Sequence, residues 1–299
     1  MGKDDDGISK EKPLAVASAL QEDENGQRPE SEDEHGDPDT AYLSEEDMQG
    51  LEDHLQEYIG EVTWVMHEIV SDRLHIDILV VEPTEERDYY TLVTMGMSAL
   101  PMHLPEELDI APYAELMICL PSDWVIRPPD NADDATELPP ELDPADETNY
   151  WPVRWLKILA RLPEDYTTWL GYGHSIPAGE ALAENTRLNG FILSPPLEHD
   201  SFFTLTQADG KEVLFWNLVP VYEEEMQFKL EHSADDLFEL FDRYQVSPIV
   251  DPARPNLITE AGGPEYAPEY MDDEFDNSPD DQPEDQFDDE EADERTRPN

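Results

Sequence analysis

Positive charge is scarce in this chain: 17 Lys and Arg stand against 74 Asp and Glu in 299 residues, a formal net charge of −57 at pH 7. A chain so poor in bases cannot hold nucleic acid by neutralising phosphates, the sequence-independent source of such affinity. The same imbalance repels it from an anionic membrane surface. Cysteine is nearly missing too. Cys119 is the single one, so no intramolecular disulfide can form, which suits a reducing compartment. It lies in the apolar run Ala114-Glu-Leu-Met-Ile-Cys-Leu120, where a lone thiol reads as a small core side chain rather than a nucleophile. No apolar run approaches the ~20 residues of a membrane span. The start, Met1-Gly-Lys-Asp-Asp-Asp6, lacks the apolar region of a signal peptide, and Asp6 stands where myristoylation needs Ser or Thr. The expected location is the cytoplasm.

The acid is unevenly placed. Residues 1–40 hold 13 acids and 4 bases, and residues 260–299 hold 17 acids and 2 bases. Like-charge blocks with few apolar residues cannot bury enough surface to offset chain entropy, so both ends are expected to be disordered. The body, 41–259, keeps 44 acids against 11 bases, a net of −33. This acidity has a bland account, solubility or adaptation to salt, and a sharper one: steering of a basic partner onto the surface. Hydrophobic residues, 38% of the chain, suffice for an ordered body.

Within the body, Ser44-Glu-Glu-Asp47 is a capping pattern, and Leu51, Leu55 and Ile59 follow on one helical stripe. Leu74, Ile76, Ile78 and Val80 alternate with His75 and Asp77, which reads as a half-buried strand ending near Pro83. Tyr90–Met97 and Ala114–Leu120 are further β-rich runs. Residues 127–149, rich in Pro and acid, are expected to be a long exposed loop. Pro152 marks a helix start and Pro163 its end, with Val153, Leu156, Leu159 and Ala160 on one side and Arg154, Lys157 and Arg161 on another. Gly190–Ser194, Phe202–Thr206 and Val213–Val221 read as strands, the last two joined by a turn at Asp209-Gly210. Glu223 opens a helix and Ser233-Ala-Asp-Asp236 caps another. The order of elements predicts a single α+β domain, a mixed β-sheet partly covered by helices.

Chemistry is harder to find. With so many carboxylates, a pair of them carries no information. His67-Glu68 lacks the second histidine of a zincin helix, since Ser71 stands there. His75 and Asp77 share a strand face but are too few for a structural metal site and read as solvent-facing. Gly171-Tyr-Gly173 to Gly179 is no dinucleotide turn, because the third glycine is distant and Pro177 blocks a helix. His174-Ser175 has no nucleophile elbow around it. No catalytic, cofactor or metal residues are assigned. The basic face Arg154, Lys157, Arg161 is a solvated helix surface unless the acids near it are engaged elsewhere.

Several segments carry a resemblance. His75-Ile-Asp-Ile-Leu-Val-Val-Glu-Pro-Thr84, Thr91-Leu-Val-Thr-Met-Gly-Met-Ser98 with Pro101-Met102, Ala114–Pro121, Gly173-His-Ser-Ile-Pro-Ala-Gly179 and Phe215-Trp-Asn-Leu-Val-Pro-Val-Tyr222 together resemble the suppressor-of-fused domain. The resemblance covers roughly residues 45–250 and implies an α+β domain without catalytic activity or cofactor. In animals this domain restrains a zinc-finger transcription factor by clamping a peptide between two domains. Bacterial members are similar to immunity proteins that neutralise secreted polymorphic toxins, many of them nucleases. One such domain is present here, which favours the bacterial role. The animal peptide groove maps near Leu162 and Gly173-His174, although the animal family has an acidic residue where Gly173 stands; a turn with positive φ is the structural reason for a glycine there. The expectation is a protein-binding domain, an immunity protein against a basic toxin, with Leu162, Gly173, His174, Arg154, Lys157 and Arg161 as partner-contact candidates. The alternative is a regulatory scaffold that takes an extended peptide of a cytoplasmic partner.

Overall fold

The computed structural model describes residues 40–71, 73–126, 147–197 and 200–261. Both flanks beyond Thr40 and Ala261, and most of the Pro-rich acidic stretch, lie outside these residues. The elements run α1 (Glu45–Tyr58), β1 (Val62–Met66), β2 (Asp77–Val81), β3 (Tyr89–Met95), β4 (Tyr113–Pro121), α2 (Glu147–Asp165), β5 (Ser175–Pro177), β6 (Gly190–Ser194), β7 (Thr204–Thr206), β8 (Glu212–Val221), α3 (Glu223–Glu231) and α4 (Ala234–Arg243).

The eight strands form one mixed sheet in the order β1-β2-β3-β4-β8-β6-β5, with β7 also paired to β8. Only the central β4–β8 pair is parallel, with Leu116 beside Trp216; the other pairs are antiparallel. Alternation of side chains along the strands sends Ile78, Leu92, Ile118, Leu218 and Phe191 to one face, where α2 packs through Trp155, Leu156 and Leu159. Leu79, Val93, Met117, Cys119 and Phe215 face the other way and meet Leu51 and Leu55 of α1. Further along that second face, Ile192, Val219 and Val221 are covered by Leu237, Leu240 and Phe241 of α4. A sheet covered on both faces explains why every residue of β2 is buried. The expected half-buried strand is thus corrected: β1 pairs along β2's outer side and helices lie above and below it.

Two helices begin where their capping patterns place them: Ser44 Oγ accepts from Asp47 N–H and Ser233 Oγ from Asp236 N–H, each at 3.1 Å. The Asp209-Gly210 turn joins β7 to β8, with Gly210 at φ 89°. Cys119 is buried, as its apolar neighbours predict. α2 departs from the expectation. It begins at Glu147 and runs through both Pro152 and Pro163 to Asp165, so three residues assigned to the acidic loop form its first turn. Proline inside a helix removes one backbone donor. The Thr148 carbonyl, four residues before Pro152, is approached by Asn185 Nδ2 at 3.5 Å instead, while both rings are buried in the apolar face.

Candidate partner-binding surface

One end of the sheet gathers the connections that matter here. β1 and β3 finish there, and β2, β4 and β8 start there, so the β1–β2 loop (67–76), the β3–β4 loop (96–112) and the last turn of α2 meet. The β1–β2 loop is fastened from inside. Glu68 N–H donates to Asp77 Oδ1 at 2.8 Å, and the Glu68 carboxylate accepts from Ser71 Oγ at 2.6 Å, from Ile76 N–H at 3.1 Å and from Arg161 at 2.5 Å. Lys157 Nζ stands 3.7 Å from its other oxygen. Burial pushes the Glu68 carboxyl up, but the bonds from Ser71 and Ile76 with the Arg161 and Lys157 charges hold it below the usual carboxylate range. Burial, helped by Arg161, lowers Lys157.

The contact candidates therefore divide. Lys157 and Arg161 are brought together, but on Glu68, and Arg161 also donates to the Leu74 carbonyl at 3.0 Å. Arg154 pairs with Glu147 within α2. Leu162 is buried in the core beneath the sheet. The glutamate that organises the bases sits in the dipeptide set aside for lacking a zincin histidine. Three bases on one helix face in so acidic a chain were the signal for such a partner. Asp77, expected to face solvent, is buried; it accepts from Glu68 N–H and lies 3.0 Å from both His67 Nδ1 and His75 Nε2. The loop folds back over the start of β2 and covers it.

Beyond the fastened base the loop shows apolar side chains to solvent. Ile69 is 97% and Val70 79% exposed. Tyr42 stacks on the His75 ring at 4.9 Å and is half exposed. Leu108 and Ile110 of the β3–β4 loop and Tyr166 just beyond α2 are exposed at the same end. Glu164 links the pieces, pairing with Arg73 of the β1–β2 loop and with His103 of the β3–β4 loop.

Gly173 and His174 lie elsewhere, at the β5 edge of the sheet. Gly173 has φ 71°, and a Cβ there would meet the Ala234 Cβ at 2.5 Å. The glycine thus lets α4 approach, a reason added to the turn expected there. His174 packs edge-on against Trp169 at 4.2 Å. Next to them Tyr172 Oη donates to Asp235 at 2.6 Å, and burial with that hydrogen bond pushes its phenol up to about 12. Gly173→Ala is expected to cost about 1–3 kcal/mol through strain and the clash with α4, read as a lower thermal midpoint at unchanged secondary structure.

Fold and surface together define an α+β domain that presents loop side chains at one sheet end; among the described residues no group of three or more His, Cys, Asp or Glu is placed to hold a metal ion, and no helix is long and apolar enough to cross a membrane. The chain belongs to the suppressor-of-fused family: the family model described as Suppressor of fused protein (SUFU) matches residues 72–255, more than half its length. Among solved structures, a SUFU homologue from Neisseria gonorrhoeae FA 1090 is 18% identical, covering 70% of this chain and 95% of that one at a TM-score of 0.48. The Sufu–Fu complex gives 14% identity, 70% and 90% coverage and a TM-score of 0.47. Drosophila Suppressor of Fused gives 15% identity and a TM-score of 0.45, over 66% of this chain and 46% of that one. The chain thus spans less than half of the Drosophila protein. No curated protein sequence matches.

Proposed function

We propose that this chain is a cytoplasmic, non-catalytic binding protein, an immunity protein that occludes a basic toxin such as a nuclease. The observation that carries the reading is the sheet end, where six of the ten exposed large apolar or aromatic side chains among the described residues collect on loops held by partly buried ion pairs. Exposed aliphatic and aromatic groups on a rigid support are the usual anchors of protein interfaces. The body's net charge of −33 supports a basic partner, since opposite charge raises association rates toward ~10⁸–10⁹ M⁻¹s⁻¹ at low salt. The six residues named from the sequence enter as second-rank contacts: Lys157 and Arg161 hold the β1–β2 loop through Glu68, Leu162 packs in the core and Arg154 pairs with Glu147 on α2, while Gly173 and His174 border a second surface. That second surface, the β5 edge beside Tyr172, favours the alternative, a scaffold that adds an extended peptide as a strand.

Co-expression with the toxins encoded beside this gene, scored as growth, tests the reading. The double substitution Ile69→Asp/Val70→Asp is expected to abolish rescue while leaving the unfolding midpoint within about 0.5 kcal/mol of wild type, because both side chains are solvated. Full rescue by this variant removes the sheet end from the interface. Failure of the wild type to rescue, together with capture of a strand peptide at β5, selects the scaffold.

A further inference from the structure

The β1–β2 loop contains a hydrogen-bonded chain whose protons do not add up for a neutral histidine. His75 Nε2 lies 3.0 Å from Asp77 Oδ1, and His75 Nδ1 lies 2.8 Å from Ser71 Oγ. Ser71 in turn donates to Glu68 Oε2 at 2.6 Å. A hydroxyl has one proton, and an ionised carboxylate only accepts. Arg161 and Lys157 keep Glu68 ionised, so the Ser71 proton is committed to it and the Nδ1 contact needs a proton on nitrogen. The Asp77 contact needs the other ring proton. All three contacts are hydrogen bonds together only when His75 is the imidazolium. With neutral imidazole one contact is lost: the Nε2–H tautomer leaves Nδ1 and Oγ lone pair to lone pair unless Ser71 turns and releases Glu68, and the Nδ1–H tautomer leaves Nε2 facing the Asp77 carboxylate without a proton between them.

We propose that protonation of His75 is a pH switch on the proposed partner surface, closing the Glu68–Ser71–His75–Asp77 chain and thereby fixing the loop that presents Ile69 and Val70. The groups facing the ring agree with this. Asp77 of β2 and the loop's Glu68 supply negative charge, and Tyr42 of the N-terminal segment stacks on one ring face. Arg161 and Lys157 of α2 act through Glu68. His67 shares Asp77 but uses the opposite oxygen, Oδ2. Histidine is the side chain suited to gain or lose a proton in the physiological range. With His75 protonated the chain is closed; with it neutral one link opens and the loop tip loosens.

This inference rests on the sheet end being the partner surface, but its test needs no partner. Amide hydrogen exchange reads the links directly, because Glu68 N–H donates to Asp77 and Ile76 N–H to Glu68. Protection factors of these two amides are expected to fall about tenfold between about pH 5.5 and about pH 8. The methyl signals of Ile69 and Val70 shift in step, and the imidazole nitrogen shifts show both His75 nitrogens protonated at the acid end. Ser71→Ala and His75→Gln reduce the fall to less than about twofold, while His67→Gln keeps it. Level protection in the wild-type protein, or a full fall in Ser71→Ala, overturns the switch. Toxin rescue with level protection removes the switch alone, and a full fall without rescue removes only the immunity reading.

Discussion

Replacing Arg254 with alanine is expected to lower the free energy of unfolding by about 3–5 kcal/mol, the cost of leaving a buried charge without its partner. The charge is Glu225, which is completely buried in the first turn of α3, and Arg254 is itself 7% exposed. The guanidinium takes both carboxylate oxygens, Nη1 to Oε1 at 2.7 Å and Nη2 to Oε2 at 2.5 Å, and Nη2 also donates to the Pro220 carbonyl at 3.0 Å. It lies over the Tyr222 ring at 5.1 Å and the Phe241 ring at 5.7 Å. Removing it leaves Glu225 with only the backbone donors of Tyr222 and Leu257, at 3.0 and 3.1 Å. It also frees the segment after α4, which this pair ties to the end of β8. Denaturant unfolding of Arg254→Ala reads the loss directly. The double variant Glu225→Met/Arg254→Met separates charge from packing: it is expected to recover more than half of the loss, since an apolar pair of similar volume strands no charge. A single variant within about 1 kcal/mol of wild type contradicts the account.

Neither partner of that pair was visible in the chain, and the reason is general for this protein. What is local in sequence was legible. Ser44 and Ser233 announce their helices because a cap needs only the next three residues. The Asp209-Gly210 turn announces its hairpin for the same reason. β1, residues Val62–Met66, left no signal: it is short, half buried and carries no clean alternation. Pro152 was read as a boundary because propensity forbids it inside a helix, yet packing of its ring into the core outweighs one missing donor. Pairings across long stretches of chain could not be read at all. Glu68 and Arg161 are 93 residues apart, and among 74 acids nothing local marks the one that Arg161 will meet. The candidate site suffered most. Lys157 and Arg161 stand out in the chain, but they turn to Glu68, and the exposed Ile69 and Val70 look in sequence like a fragment of a strand.

Two of the segments that carry the family resemblance, Thr91–Ser98 and Ala114–Pro121, meet in the core, and Glu115 of the second gives the other large effect. Glu115 on β4 is fully buried. Its Oε1 accepts from Gly96 N–H at 3.1 Å, Ser98 N–H at 3.0 Å and Ser98 Oγ at 2.7 Å, and its Oε2 from Thr94 Oγ at 2.5 Å. Thr94-Met-Gly-Met-Ser98 is therefore a cradle for a carboxylate brought by Ala114–Pro121. Gly96 belongs to it because at φ 140° a Cβ would stand 2.0 Å from the His75 carbonyl oxygen. Glu115→Ala strands buried donors at about 1–3 kcal/mol each and is expected to cost about 3 kcal/mol or more in denaturant unfolding. Glu115→Gln keeps the shape and is expected to cost about 1 kcal/mol, so a Gln variant as damaged as Ala would mean that the negative charge, not the hydrogen-bonded shape, is what the cradle holds. The two forms also differ in pH dependence. Burial raises the Glu115 pKa more than the four hydrogen bonds lower it, so the fold favours the protonated acid. Its contribution is fully present below the carboxyl's unfolded pKa, near ~4.3, and is lost as pH rises through the raised folded value. Glutamine has no proton to lose. The stability of wild type relative to Glu115→Gln is thus expected to decline across that window and then level off, every other titrating group being common to both proteins. A difference that stays constant with pH would show that Glu115 is ionised in the folded and unfolded chain alike.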